Sequence, residues 1–327
     1  MLTKEEDRYD QSTTTMVATT LILVAATLAI HASALSNPRN NQNVISRRHF
    51  ALHYPVSATA IFKTLLPSEA AYAATTSSSI SNRFESDILT APPITAGSKY
   101  TGHENLYFPE WIAGEWDAVQ TLVSTKAPLG LEYLGGPQGS LDVAKVSMEE
   151  QTKRLNKPVN LKLKFIKTKF GVAEDRLYNL RSRLDSFAGK SVVANVEYAD
   201  VRESNRAATL AAGGNEFDPL TTTVVYFKGP AAQKTFVISH GQEIDEDSYF
   251  GYEVDRSIFA LTNTNTAPPV TSDTEVLYSF KRIGDDLVEG RLRLAGYLNP
   301  QSDKLYFDAK NRAVSLSDYT LILKRSN

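Results

Sequence analysis

The chain has 327 residues, a formal net charge of −2 from 35 basic and 37 acidic residues, 42% hydrophobic residues and no cysteine. That apolar content fills a core and excludes global disorder, and the near-neutral balance carries no nucleic-acid footprint. The missing thiols exclude disulfide frameworks, zinc knuckles, iron–sulfur clusters, covalent haem and thiol nucleophiles.

The N-terminal third differs from the rest. Val17 to Ile30 form an uncharged apolar run, too short for a comfortable bilayer span. Small residues follow at Ala32-Ser33-Ala34, so the run reads as a secretory signal peptide. A buried core helix is the alternative. Met1 to Thr15 is acidic, unusual before such a run, and Met16 directly precedes it, so either methionine can be the start. Residues 36–46 are polar and lack acid. Arg47 and Arg48 then form a twin-arginine pair with Phe50 two places on. A mildly apolar stretch, Ala51 to Leu66, is interrupted by His53, Pro55 and Lys63; after Pro67 the segment closes at Ala71-Tyr72-Ala73, a second small-residue cleavage pattern. Two cleavable signals around an acid-poor spacer resemble the presequences of algal complex plastids, with Leu35 where those usually carry phenylalanine. The resemblance implies a thylakoid-lumen destination; ordinary secretion is the alternative. The expected organisation is a signal peptide over 1–35, a transit and twin-arginine segment over 36–73, a linker over 74–105 and a barrel domain over 106–327. Cleavage after Ala73 removes His31, His49 and His53 and leaves only His103 and His240.

Beyond the linker, nine short β-rich runs are predicted: Glu115–Val123, Asn160–Lys169, Ser191–Asp200, Thr221–Lys228, Lys234–His240, Val254–Thr262, Glu275–Arg282, Leu287–Leu298 and Val314–Lys324. Fifteen tyrosines and fourteen phenylalanines against two tryptophans agree with a strand-rich chain. Leu161, Leu163 and Phe165 share one face opposite Lys162 and Lys164, which buries one side of that strand. Val288, Leu292 and Leu294 likewise oppose Glu289, Arg291 and Arg293. Gly284-Asp285 reads as a hairpin turn. One segment has helical spacing instead: Leu177, Leu180, Leu184 and Phe187, with acidic residues at its start and Gly189 beyond its end, predict an amphipathic helix over about 174–187. Ser140–Lys153 is ambiguous, with a short helix as one reading. Ala207–Pro219 and Thr262–Asp273 read as loops. The expected fold is mainly β, an antiparallel barrel of eight or nine strands with one helix, because closure removes sheet edges. A β-sandwich is the alternative.

Trp111-x-x-Gly114-Glu115-Trp116 at the entry to the first strand resembles lipocalins and the wider calycins. The resemblance implies that a tryptophan plugs the closed end of the barrel and that a basic residue of the last strand, Lys324 or Arg325, packs across it. A longer series, with Ala127-Pro128-Leu129-Gly130, Glu174-Asp175-Arg176-Leu177-Tyr178-Asn179, Ser272-Asp273-Thr274-Glu275-Val276, Gly296-Tyr297-Leu298, Arg312-Ala313-Val314 and Asp318-Tyr319, resembles an uncharacterised domain family of cyanobacteria and plastids. That resemblance implies a lumenal location and assigns no catalytic residue. Asp175, Arg176, Asn179, Tyr297, Arg312, Asp318 and Tyr319 are therefore motif residues without a role.

Candidate chemistry is sparse. Ser239-His240 to Asp247 reads as a solvated acidic loop, with a weak calcium site as the sharper alternative. Leu134-Gly135-Gly136-Pro137-Gln138-Gly139 lacks the Lys-Ser/Thr of a phosphate loop and reads as a turn. Asp175-Arg176 reads as a helix-start pair. Arg291 and Arg293 are placed to meet carboxylates across the sheet, with anion binding at the barrel as the alternative. No cofactor, metal or catalytic residue is identifiable, and the mature chain carries no transmembrane segment. The expected function is a lumenal barrel that binds an apolar molecule (lipid, pigment or quinone-like) or assists a photosynthetic membrane complex. The alternatives are an enzyme acting on a carotenoid or lipid, and an assembly partner with no ligand. A binder needs an apolar cavity of several hundred Å³, and an enzyme needs convergent polar groups with perturbed pKa.

Overall fold

The computed structural model describes residues 79–93, 105–199, 221–263 and 269–326. The residues assigned to the signal, transit and twin-arginine segments, Met16, Arg47, Arg48, Ala71 and Ala73 among them, lie outside the described residues, as do His103 and the loop over 207–219.

In chain order the elements are α1 (Ile80–Glu85), β1 (Tyr107–Phe108), β2 (Gly114–Lys126), α2 (Leu141–Thr152), β3 (Pro158–Thr168), β4 (Gly171–Glu174) and α3 (Arg176–Ala188). Then come β5 (Val193–Tyr198), β6 (Thr222–Phe227), β7 (Ala231–Ile244), β8 (Ser248–Leu261), β9 (Val270–Gly284), β10 (Leu287–Tyr297), α4 (Tyr306–Ala309) and β11 (Ser315–Arg325). All strands join one antiparallel sheet in the order β1-β4-β3-β2-β11-β10-β9-β8-β7-β6-β5. It curls strongly into a half-barrel. The mainly antiparallel β architecture is the one the strand pattern predicts. The count rises to eleven because β1 and β4 are two and four residues long, too short to show a period. The helix over 176–188 is present, and the ambiguous run forms α2, capped by the Ser140 hydroxyl.

The sheet does not close on itself. Helix α3 spans the gap between β5, one end of the sheet, and the part of β3 that β4 leaves unpaired, and satisfies both with side chains. Asp175 caps it at Tyr178 N, and Gly189 ends it with φ 64. On the β3 side, Asn179 Oδ1 accepts from Lys164 N at 2.8 Å, its Nδ2 donates to Lys164 O at 3.1 Å, and Ser182 Oγ accepts from Lys162 N at 2.9 Å. On the β5 side, Asp185 Oδ1 accepts from Val192 N and Val193 N at 2.7 and 2.9 Å, and Arg181 donates to Val193 O at 3.1 Å. Buried backbone groups need partners, and here one helix supplies them to two strand edges.

The concave face holds two apolar cores. One gathers Phe108, Trp116, Leu163, Phe165, Tyr249 and Phe280, with Phe108 lying 5.0 Å from Phe165 and 4.9 Å from Tyr249 between ring centroids. The other lies under α3 around Leu184, Val193, Val225 and Phe227.

Two expectations need correction. The segment expected as a linker carries α1, whose Ile80 and Phe84 pack with Leu89 against Leu277, Tyr297 and Leu316 on the convex face. Thr90 also bridges to Arg312. Thr/Ser-rich flanks hide the three apolar side chains that make this contact worthwhile. The acidic loop expected over 239–247 is largely strand: β7 runs through His240 to Ile244 and pairs with β8, leaving a tight turn at Asp245–Asp247. Backbone pairing overrides the poor strand propensity of Gly241 and the acids.

Candidate functional site

Several motif residues meet at one end of the sheet. Trp116 is fully buried on β2, and its indole N–H donates to Ile112 O at 2.7 Å. The Arg325 guanidinium lies 4.3 Å from the Trp116 ring centroid and donates to Ala113 O at 3.0 Å and Trp111 O at 3.2 Å. Gly114 has φ +123, and a Cβ there would stand 2.8 Å from Arg325 Nη1. Trp111, Gly114, Trp116 and Arg325 thus form one packed unit, while Lys324 lies beyond it on the same strand. The Trp116 indole and the Arg325 guanidinium of this unit are both satisfied by backbone carbonyls, whereas the Trp111 indole nitrogen is buried without a partner among the described residues.

The convex face takes a second group. Glu275 is fully buried on β9 and accepts two bonds from Arg83 of α1, at 2.9 and 2.6 Å, and one from the Tyr297 hydroxyl at 2.6 Å. Arg293 pairs in two-pronged fashion with Asp318 across the β10–β11 ladder, at 2.5 and 3.1 Å, and Arg291 meets Glu85 at 2.8 Å. Arg312 donates to Ala309 O. Tyr297, Arg312 and Asp318 therefore serve the outer face, where α1 sits.

Asp175, Arg176, Asn179 and Tyr319 belong to the interior. Between α3 and the concave sheet lies a cavity of about 90 Å³. Its apolar wall includes Leu180, Leu184 and Phe187 from α3 with Leu292, Leu294 and Tyr319 opposite. Its polar wall is unusual for a barrel interior. Arg176 Nη1 donates to Glu253 Oε2 at 3.0 Å, its Nη2 bonds Glu253 Oε1, and Nη2 also reaches Asn105 Oδ1 at 2.9 Å. Arg183 Nη1 donates to Glu174 Oε1 at 2.6 Å, and Asn179 Nδ2 donates to the same oxygen at 2.9 Å. Asp255, two residues beyond Glu253 on the inward side of β8, completes the set.

The electrostatics follow from burial and pairing. Burial raises the Glu174 carboxyl, but Arg183 and Arg176 outweigh it and hold it below its usual range. Burial opposes charge on Arg176 as well, and Glu253 more than compensates, so the guanidinium is firmly protonated. Asp255 has no such partner. Burial first, then the Glu253 charge, push its carboxyl up to about 8. Asp255 is half-buried as a residue, while its Oδ1 is buried and unpartnered among the described residues. Arg176 Nε and Arg183 Nε are buried and unpartnered in the same way.

Sequence reading finds Glu174 and Arg176 only as members of a motif at the helix start, without a role, and passes over Arg183, Glu253 and Asp255. In β8 the apolar Phe250, Tyr252 and Val254 occupy the convex face, so alternation points the acids outward when they point inward. The usable signal is an acid pair, Glu253-x-Asp255, at alternate positions of a strand whose other face is equally apolar. Half-buried His240 lies elsewhere on β7, and among the described residues no group of three or more His, Cys, Asp or Glu is placed to hold a metal ion. Among them, too, no helix is long and apolar enough to cross a membrane.

Fold and site together define a helix-bridged antiparallel half-barrel with a charged internal cavity. A family model described as a domain of unknown function, DUF6816, matches residues 100–327, and the chain belongs to that family. A search of the curated proteins and a search of the solved structures each found no match.

Proposed function

We propose that the domain is a soluble, ligand-holding half-barrel of the thylakoid lumen, in which α3 forms one wall of the internal site. The observation that carries the reading is the cavity between α3 and the concave sheet, lined by Glu174, Arg176, Arg183, Glu253 and Asp255 on one side and by apolar side chains on the other. A cavity of about 90 Å³ is smaller than the several hundred Å³ a drug-sized ligand fills. It supports a small molecule, or the head of a larger amphipathic one, in place of a wholly buried lipid or pigment. Lumenal location rests on the Arg47-Arg48 pair and the Ala71-Tyr72-Ala73 pattern. Native mass spectrometry of protein purified from a pigment- and lipid-containing host tests the binding reading: a co-purifying small molecule supports it, and an empty chain counts against it. A fusion of residues 1–75 to a fluorescent protein tests the address. Labelling of plastids supports it, and uniform secretion removes it.

A second reading has one observation in its favour. A carboxyl titrating near 8 inside a cavity is poised as a general acid at neutral pH. It predicts chemical conversion of whatever molecule co-purifies, whereas a holder returns it unchanged.

A further inference from the structure

We infer that the cavity takes a small organic cation, a primary alkylammonium whose head meets Asp255 and whose hydrocarbon lies on the apolar wall. The inference rests on the internal-site reading above and names its ligand class. A count of charges carries it. Glu174, Glu253 and Asp255 line the cavity against Arg176 and Arg183, three carboxylates to two guanidinium groups. Arg176 is taken by Glu253 and Arg183 by Glu174. No ion pair or hydrogen bond joins Asp255 to a cation among the described residues, so the third carboxylate is left over. An added carboxylate or phosphate enlarges that surplus in a poorly solvated site, whereas an ammonium cancels it. A metal ion needs several such oxygens at once, and among the described residues no three acidic or histidine side chains are placed to hold one. An ammonium needs one charged partner and, for its remaining donors, neutral oxygens.

The cavity walls meet both needs. Asp255 is half-buried although its Oδ1 is sealed, and its main chain is paired with Val237 on one side and Thr274 on the other. The part of it open to a ligand is therefore the side chain, through Oδ2. Gln120 of β2 and Tyr278 of β9, each more than nine-tenths buried, also line the cavity, and no hydrogen bond ties the Gln120 amide or the Tyr278 hydroxyl to another described residue. Each offers an oxygen acceptor. Leu180, Leu184, Leu292 and Leu294 supply the hydrocarbon wall. Asp255 faces Glu253 along β8, Glu174 from β4, Arg176 and Arg183 from α3, and Tyr278 from β9; the β7 residues opposite, Thr235 and Val237, do not titrate. Burial and the Glu253 charge keep a proton on Asp255 near neutral pH. An arriving ammonium takes the place of that proton, which leaves to solvent, so the site stays neutral.

The test uses three small probes of matched size on the full chain: n-butylammonium, 1-butanol and propionate, titrated by saturation-transfer NMR at pH 6.0 and 8.5, where the ammonium stays charged. At pH 8.5 we expect n-butylammonium to bind at least about tenfold more tightly than 1-butanol or propionate, the margin one charge-assisted hydrogen bond supplies. At pH 6.0 it has to displace the Asp255 proton, and its binding weakens by about tenfold or more. In Asp255→Asn both the preference and its pH dependence disappear, while 1-butanol binds as it does to the wild type. Ammonium drawn to exposed carboxylates is the same in both proteins and drops out of the comparison. Propionate or 1-butanol binding as tightly as n-butylammonium overturns the inference and leaves the internal site standing, as does an ammonium preference that persists in Asp255→Asn. Failure of all three probes to bind removes the internal-site reading itself. The wild-type series at the two pH values decides the ligand class even if the variant does not fold.

Discussion

Burial lifts the Asp255 carboxyl to about 8, so above the usual carboxylate range the folded chain holds a proton that the unfolded chain has lost. Stability contributed by this group is greatest at low pH, falls as pH rises from about 4 towards 8, and levels off beyond. Asp255→Asn removes that component. Thermal melts at pH 5 and pH 8.5 check it: the wild type loses more stability over the interval than the variant. Arg325 acts at the other end of the interior, and Arg325→Ala loses a stacked cation and two backbone acceptor partners. The expected cost is about 1–3 kcal/mol by urea denaturation. Gly114→Ala is destabilising for two reasons, a positive φ and a Cβ pressed on Arg325. In an Arg325→Ala background the second reason vanishes, so a double-mutant cycle shows Gly114→Ala costing less there. Equal cost in both backgrounds assigns the whole effect to φ.

At the scale of elements, α3 works as an edge cover. A half-barrel leaves two strand edges whose amides need partners, and exposed edges invite unwanted pairing. Asn179 and Ser182 serve one edge, Arg181 and Asp185 the other. Asp185→Ala strips acceptors from Val192 N and Val193 N. We expect those two amides to exchange hydrogen faster than in the wild type while amides of central β10 are unchanged. Uniform acceleration across the sheet would instead point to global destabilisation. Helix propensity and amphipathic spacing make α3 visible in the sequence. That its polar side reaches two distant strands is not visible, because both contacts join residues whose neighbourhood exists only after the sheet curls.

For the whole molecule, the first described segment is part of the fold. Arg83 neutralises Glu275, which is buried on the convex face together with Tyr297. Removing α1 leaves that carboxylate buried without its cation, a loss on the order of 3–5 kcal/mol, and bares Leu277 and Leu316. A chain starting at residue 74 should melt with the full-length protein. One starting at residue 90 should melt well below it, and equal melting of the two would show that α1 adds nothing.

Local chemistry sufficed to find each of the nine longer strands, though not the end of β7 or the beginnings of β8 and β9, and to find the α3 caps Asp175 and Gly189 and the Trp111–Gly114–Trp116 entry, because periods, caps and turns act between residues near one another in the chain. Absence of cysteine likewise excluded whole classes of site before any folding was considered. Tertiary structure alone decided which face of β8 turns inward, since Phe250, Tyr252 and Val254 find cover on the convex side and so release Glu253 and Asp255 to the interior. The pairing of Arg176 with Glu253 joins residues 77 apart, and a charge-balanced cavity is a sum over three elements, β4, α3 and β8. No periodicity encodes such a sum; it arises when a curled sheet and its bridging helix bring the charges out of water together.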